Sequence, residues 1–386
     1  MGSMSELPTK ATPARLREVA AVFFRLGALS FGGPAAHIAL MEEEVVRKRQ
    51  WMSAEHFLDL IGATNLIPGP NSTEMTMHCG HERAGGAGLV VAGLAFILPS
   101  VIITGVFAWL YQRYGQLPQV APFVYGIAPA VIAIIAGAAY TLGRKAVKSE
   151  LLAGIGAATL LAALLGVHEI VALLGAGMAG LVLHTLRQPP KLRQTLSVMP
   201  FASILAGPLV NTGLSISGVF WSFLKVGATL YGSGYVLFAY LEGELVAPGW
   251  LSRQQLLDAV AVGQFTPGPV LSTATFVGWQ LGGWGGALAA TVGIFLPSFV
   301  FVWLLNPLLP RLRKSQLFSA FLDSVNVASV ALIVAVLVAM TRMALTDWLT
   351  LLIAALSLGV SLAYPKINSA FVVVGGALLG YLLTLF

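Results

Sequence analysis

The sequence predicts an all-α integral membrane protein made of two homologous helical halves of opposite orientation, an inverted repeat with broken or re-entrant helices. The first observation is composition: 57% of the 386 residues are apolar and 10% are charged, against about 25% charged in a soluble domain. The second is an internal repeat, and the third is a set of Pro and Gly breaks inside apolar segments. Composition excludes a soluble enzyme and a nucleic-acid-binding protein, and the single cysteine excludes an intrachain disulfide.

Two series of apolar segments fill the chain and leave no room for a soluble domain. A membrane-spanning helix needs about 20 apolar residues, and most connections between the segments are short. We expect a first transporter repeat over residues 15–187, a linker over residues 188–216 and a second repeat over residues 217–386. The linker could hold an extra membrane crossing near residues 197–216. Whatever the protein does should therefore happen inside the bilayer.

The second series repeats the first in order and in motif. Related positions lie 198 to 200 residues apart throughout. The motif pairs are Glu42-x-Glu44 with Glu242-x-Glu244, Trp51-x-Ser53 with Trp250-x-Ser252, Pro68-Gly69-Pro70 with Pro267-Gly268-Pro269, and Leu98-Pro99-Ser100 with Leu296-Pro297-Ser298. A constant offset over this length indicates duplication.

Positive charge lies at different places in the two halves. Because Lys and Arg favour the cytoplasmic side, this difference indicates opposite orientations. Arg187 and Lys191 also look cytoplasmic, so either the extra crossing or a full crossing by one broken segment must invert the second half. The charges are Arg15, Arg17, Arg47, Lys48, Arg49, Arg144, Lys145 and Lys148 in the first half, and Arg311, Arg313 and Lys314 in the second.

Each half contains two breaks inside apolar segments. A break at mid-depth frees backbone N–H groups, and the N-terminus of the following half-helix carries a partial positive charge. Broken helices in inverted repeats are typical of secondary transporters, and donors without a carboxylate suit a small tetrahedral oxyanion. Alternatively, Pro and Gly only kink packed helices that Ser and Thr cap locally. The candidate substrate-binding residues at the breaks are Gly32, Gly33, Gly69, Asn71, Ser72, Thr73, Gly232, Ser233, Gly268, Ser272 and Thr273.

Arg25 and Lys225 occupy equivalent positions inside the first apolar segment of each half. A cation at this depth is costly unless it is paired or reaches the interface. One interpretation is that both side chains attract the anion. The alternative is that both extend to the membrane surface.

Titratable residues could couple transport to protons. The candidates are His37, Glu42, Glu44, Glu74, Glu242 and Glu244. The repeated glutamates could instead be interfacial carboxylates, since Glu43 with Arg47 and Glu44 with Lys48 have helical i,i+4 spacing. The carboxylate of Glu74 is unfavourable beside an anion unless it is protonated or points away, and it has no acidic counterpart in the second half.

Potential metal ligands cluster at His78, Cys79, His81 and Glu82, but their spacing is weak and the second half has no such group. We expect no metal and no cofactor. An enzyme is disfavoured because neither a His-Glu-x-x-His motif nor a convincing Ser-His-Asp set is present.

The motifs resemble those of the chromate ion transporter family, in its long-chain, two-domain bacterial form. The resemblance covers nearly the whole chain, but the second half departs from it at Gly232-Ser233-Gly234 and at Leu237, the counterpart of His37. The matching motifs are Phe31-Gly32-Gly33-Pro34-x-x-His37, Glu44-x-Val46 with Trp51, Pro68-Gly69-Pro70, Ala84-Gly85-Gly86-x-Gly88 and Leu98-Pro99-Ser100.

The resemblance implies a multi-pass protein of the bacterial inner membrane that exports chromate and confers chromate resistance, with sulfate as a structural analogue. We expect alternating access around a midplane site. An anion channel, or an importer with sulfate as its main substrate, stays open, as do proton coupling and a homodimer. The expected partners are chromate, sulfate, protons and the lipid bilayer, with no nucleic acid.

Overall fold

The computed structural model describes residues 11–30, 34–64, 67–115, 121–187, 215–231, 236–305, 316–364 and 367–384, and every regular element in these ranges is a helix. The first half consists of α1 (Pro13–Leu29), α2 (Pro34–Met41), a π-helix (Glu42–Lys48), α3 (Ala54–Thr64), α4 (Asn71–Tyr114), α5 (Ala121–Ala146), α6 (Glu150–Leu164) and α7 (Glu169–Arg187). The second half consists of α8 (Ile216–Thr229), α9 (Val236–Leu241), a π-helix (Glu242–Val246), α10 (Arg253–Phe265), a 3-10 turn (Val270–Ser272), α11 (Thr273–Leu305), α12 (Gln316–Ala344), α13 (Trp348–Ala363) and α14 (Ser369–Leu383).

Helix α4 folds back on itself at Ala84 and Gly85. Gly85 has φ of 62° and ψ of −157°, a combination that only glycine adopts without strain. Gly80 and Gly88 then lie backbone against backbone on the two sides of the turn. We therefore divide α4 into the half-helix α4a (residues 71–83) and the crossing helix α4b (residues 86–114).

Helix α11 has the same turn at Gly282 and Gly283, where φ of Gly283 is 56°. The hydroxyls of Thr275 and Thr291, on opposite arms, lie 2.8 Å apart. We call its arms α11a (residues 273–281) and α11b (residues 284–305). The equivalence of the two hairpins follows from the repeat.

The contacts of the crossing helices show that the halves have opposite orientations. Helix α4b begins near the α4 turn, where Gly86 faces Trp303 at the far end of α11b. It ends beside the α11 turn, where the Gln112 Oε1 atom accepts a 2.7 Å hydrogen bond from the Trp279 indole. We call the end of each half that carries its hairpin turn the base of that half. The two bases therefore lie on opposite faces of the molecule. This confirms the predicted inverted repeat.

The helices after the hairpins are exchanged between the halves. Helix α5 packs on α13 and α14 of the second half, and α12 packs on α6 and α7 of the first. The closest approach is between backbones, with Gly126 of α5 against Gly376 and Gly380 of α14. Each half thus completes the scaffold of the other.

Apolar side chains face outward along both crossing helices, as expected for a surface in contact with lipid. Five helical stretches are long and apolar enough to cross a membrane by length and composition, which supports a multi-pass membrane protein. The exposed stripes have i,i+4 spacing and consist of Val90, Leu94, Leu98, Ile102 and Val106 on α4b, and Trp284, Leu288, Val292, Leu296, Val300 and Leu304 on α11b.

The described ends of the two halves lie on opposite faces. Helix α7 runs from His168, beside the base of the second half, towards the end where Gly180 packs on Ser324 of α12. Helix α8 begins beside the α11 turn, where Ile216 approaches Gly285. The predicted linker over residues 188–216, with its extra crossing, lies outside the described residues except for its last two positions.

Candidate functional site

Each of the two Pro-Gly-Pro turns contacts the opposite half of the molecule. The Gly69 N–H donates a 2.7 Å hydrogen bond to the Leu230 carbonyl at the end of α8, and the Gly268 N–H donates a 2.8 Å bond to the Ser30 carbonyl at the end of α1. Both glycines have positive φ, 141° and 86°. We call these turns the first tip (residues 67–70) and the second tip (residues 266–269).

The half-helices that leave the tips begin without side-chain caps. Neither Pro70, before α4a, nor Pro269, before the 3-10 turn that leads into α11a, supplies a capping side chain. By contrast, Ser, Thr, Asp or Asn side chains cap the starts of other helices, namely α1, α6, α8, α10, α13 and α14. The helix starts at the tips therefore lack the side-chain acceptor that these other helix starts have, and an anion is the kind of ligand that binds at such a start.

Four buried hydroxyls from both halves surround the second tip, and we call them the hydroxyl cluster: Ser100, Thr104, Thr266 and Ser272. The Ser100 hydroxyl donates to Ser272 at 2.7 Å, and the Thr104 hydroxyl lies 3.3 Å from both Ser272 and Thr266. Because hydroxyls rotate, the same groups can turn their hydrogens towards an oxyanion.

A carboxyl group occupies the corresponding place at the first tip. Glu74 is fully buried, and neither carboxylate oxygen has a hydrogen-bond partner in the described part of the chain. Its side chain lies beneath Gly69, where an added Cβ would collide with the Glu74 carboxylate and the Ser298 hydroxyl. The hydroxyls of Ser298 and Thr73 are also buried without a described partner. The two tips therefore differ in charge.

His37 lies beside the end of α1. Its Nε2 atom is 3.2 Å from the Ser30 carbonyl, which also accepts the bond from Gly268, and its ring meets the Phe96 ring edge-on at 5.6 Å. The Nδ1 atom is buried without a partner among the described residues. Leu237 takes the equivalent place in the second half, so this contact is confined to one tip.

Each repeated cation is paired with the second glutamate of its own half. Arg25 lies 2.6 Å from Glu44, and Lys225 lies 2.6 Å from Glu244. The pairs join the first helix of each half to its π-helix. The structure thus shows both cations in ion pairs. This is a third arrangement, beside the two that the sequence suggested, which were attraction of the anion and extension to the membrane surface.

The surroundings of the two pairs differ. Arg49 and Lys48 also approach Glu44, at 3.0 and 3.8 Å, whereas His168 from the first half approaches Glu244 at 3.4 Å. The Lys225 side chain is 23% exposed, while that of Arg25 is 54% exposed. The second pair is therefore more enclosed and has fewer cations.

The remaining predicted residues have varied surroundings. Glu42 pairs with Arg47 and Glu242 with Arg253. The i,i+4 pairs of Glu43 with Arg47 and Glu44 with Lys48 are present at 3.6 and 3.8 Å. Ser72 is buried, Asn71 is partly exposed, and the Thr273 hydroxyl donates to the Val270 carbonyl. Four of the predicted substrate-binding residues lie outside the described residues, namely Gly32, Gly33, Gly232 and Ser233. The described residues contain no cluster of metal ligands.

Sequence reasoning missed part of the site, namely Ser100, Thr104, Thr266 and Ser298. Ser100 and Ser298 carried a signal, because each follows a proline inside a crossing helix at repeat-related positions. Thr104 and Thr266 carried none, since no repeated motif contains them.

His168 should make stability depend on pH. It lies between α6 and α7, and its hydrogen bond to Glu244 raises its pKa above the usual value of 6.5. Burial and the positive charge of Lys225 oppose this rise, and the negative charge of Glu169 adds to it. A raised pKa gives stability that is present below pH 6.5 and is lost as pH rises through the folded-state pKa. The contribution is at most about 1 kcal/mol, because the side chain is partly exposed.

We expect the His168→Gln variant to lose this dependence, while wild-type protein becomes less stable towards alkaline pH. Thermal unfolding in detergent from about pH 5 to about pH 9 measures it. Parallel curves for the two proteins would contradict the assignment.

Comparison with known proteins gives the family. The family model described as "Chromate transporter" matches residues 17–181 and again residues 217–381. A chromate transport protein of Cupriavidus metallidurans is 33% identical over 98% of this chain and 95% of its own length. One of Pseudomonas aeruginosa is 29% identical over 97% and 96%, and a probable one of Synechococcus elongatus is 33% identical over 89% of both chains. No solved structure matches the chain. With two matches to one family model and similarity to transport proteins over nearly the whole chain, the chain belongs to the chromate transporter family.

Proposed function

We propose that this protein is a secondary transporter of the bacterial inner membrane that exports chromate by alternating access and thereby confers chromate resistance. The observation that carries the proposal is that an uncapped half-helix start in each half follows a turn that contacts the opposite half, with buried hydroxyls of both halves beside the second turn. Relatives named as chromate transport proteins support the substrate. The same relatives favour transport over catalysis.

The second tip is the better place for the anion. Ser100, Thr104 and Ser272 supply hydroxyl donors, and the start of the 3-10 turn at Val270 supplies N–H groups. A dianion needs donors and no nearby negative charge, and the hydroxyl cluster has no carboxylate in it. A tetrahedral oxyanion such as chromate or sulfate has an oxygen for each of several donors.

The paired charges provide the gates in this proposal. The Arg25–Glu44 and Lys225–Glu244 pairs tie the first helix of each half to its π-helix near opposite bases. A passing anion can replace the glutamate as the partner of the cation and so break that ion pair. In alternating access, only one of the two pairs would be open at a time. Glu42 and Glu242 then hold the outer ends through their own arginines.

The membrane potential favours export. Moving one charge across 100 mV is worth about 2.3 kcal/mol, so a dianion leaving an inside-negative cell gains about 4.6 kcal/mol. Export does not need a coupled proton for its driving force, and one proton carried outward with the dianion would reduce the gain from the potential to about 2.3 kcal/mol.

Chromate uptake into proteoliposomes of purified protein, at clamped potential and with sulfate as competitor, tests this function. We expect saturable uptake that sulfate inhibits. Flux that never saturates, at turnover far above that of carriers, would establish an anion channel. Absence of uptake by folded protein would show that chromate is not the substrate.

The hydroxyl cluster gives a sharper prediction. Ser272→Ala removes the hydroxyl that joins Ser100 to Thr104, and we expect the KM for chromate to rise about 10-fold, the cost of one hydrogen bond to a charged group. Ser357→Ala, a buried serine on α13, is the matched control with unchanged transport. Equal kinetics for the two variants would place the anion elsewhere.

A further inference from the structure

We propose that Glu74, beside Ser298, is a proton-binding site that loads one proton with each oxyanion, so that anion and proton move in the same direction. This inference rests on the proposed oxyanion transport and adds the coupled ion and its carrier. The first step is the burial of Glu74. No exposed surface remains on the side chain, and neither carboxylate oxygen has a described hydrogen-bond partner.

An ionised carboxylate in such a place would be shielded from water and would have no counter-ion among the described residues, which is very costly. The described groups that approach it are the Ser298 hydroxyl from α11b and the Tyr231 phenol after α8. A proton on Glu74 removes the cost. The described conformation therefore suits the protonated form.

The position of Glu74 suits a group that must face both sides in turn. It belongs to the first turn of α4a and lies beneath Gly69, whose N–H bonds the Leu230 carbonyl of the opposite half. Its neighbour Ser298 also belongs to the opposite half. Any movement of one half against the other separates these contacts, and water could then reach the carboxyl group.

The sign of the coupling follows from charge. An ionised Glu74 repels an oxyanion at the centre of the protein, where the dielectric is low, whereas a protonated one does not. Anion binding thus favours proton binding, and the reverse holds by reciprocity. The second tip has Thr273 near the position that corresponds to Glu74. The proton therefore binds at the first tip and the anion at the second.

The test compares wild-type protein with Glu74→Gln in proteoliposomes at clamped potential, with an internal pH dye. Glu82→Gln, the same change near the other end of α4a, is the matched control. We expect acid outside to accelerate chromate uptake at least 5-fold in wild type and control, with acidification of the lumen. Glu74→Gln should keep chromate–chromate exchange, which shows that it is folded, but lose the response to the pH gradient and the proton flux.

Infrared difference spectra of the protein in detergent, without chromate, give an independent readout. The band of a protonated carboxyl group should be present in wild type and absent in Glu74→Gln. A missing band, an unchanged gradient response in Glu74→Gln, or acceleration by the opposite gradient would overturn the proton assignment while transport itself stands. Wild-type protein that shows the band but carries no oxyanion would overturn the proposed function, and the co-transport with it.

Discussion

Gly268→Val should lower chromate transport at least 100-fold. The residue has φ of 86°, and an added Cβ would lie 2.9 Å from the Gly27 carbonyl oxygen and 3.0 Å from the Ser100 Cβ. A β-branched side chain is strained at positive φ, and the overlap would push the second tip away from the Ser30 carbonyl and the hydroxyl cluster. Together these costs reach about 3 kcal/mol, which is more than 100-fold. Initial rates of uptake, normalised to folded protein in the membrane, measure the effect.

Gly249→Val separates backbone strain from the loss of the tip. Gly249 has a similar φ of 82°, but a Cβ there meets open space. This control should keep most of the wild-type rate. If Gly268→Val transports as well as Gly249→Val, the second tip does not hold the substrate.

Lys225→Met should destabilise the protein by about 3 kcal/mol, and Arg25→Met by about 1 kcal/mol or less. Without Lys225, His168 is the one ion-pair partner that remains to the buried Glu244 carboxylate among the described residues. Without Arg25, Glu44 still has Arg49 and Lys48. Equilibrium unfolding in mixed micelles measures the difference between the two variants.

The double variant Lys225→Met/Glu244→Gln tests the cause. Replacing both charges of a buried pair is far less costly than removing one, so the second change should restore most of the lost stability. A double variant no more stable than Lys225→Met, or an Arg25→Met variant that loses as much, would show that the Lys225–Glu244 pair is not the reason.

The sequence was sufficient for the architecture, and it also pointed to part of the candidate site. Residues that recur at a constant offset, such as Arg25 with Lys225 and Glu44 with Glu244, form the same pair in each half. The Pro-Gly-Pro turns were recognisable because proline and glycine interrupt helices in a predictable way. Glu74 stood out because the repeat gave it no acidic counterpart.

Contacts between distant segments were not predictable. Ser100 and Ser272 are 172 residues apart and meet because the 3-10 turn after the second tip reaches α4b of the first half. Thr104 is an ordinary threonine on α4b and Thr266 the first residue of the second tip, and neither belongs to a repeated motif. The exchange of α5 and α12 between the halves also left no pattern, since small residues such as Gly126 and Gly376 occur throughout apolar helices.

The exchange of α5 and α12 sets the order of assembly during synthesis. The Tyr125 hydroxyl of α5 bonds the Asp347 carboxylate at 2.6 Å, and its helix packs on α13 and α14. At about 5–20 residues per second, the ribosome needs roughly 10–45 s to reach these partners after α5 is made. During that interval the glycine-rich face of α5 has only lipid or a chaperone to cover it. Insertion of the last two helices is therefore the step that closes the scaffold, and a truncated chain that ends before Asp347 leaves this face open to degradation.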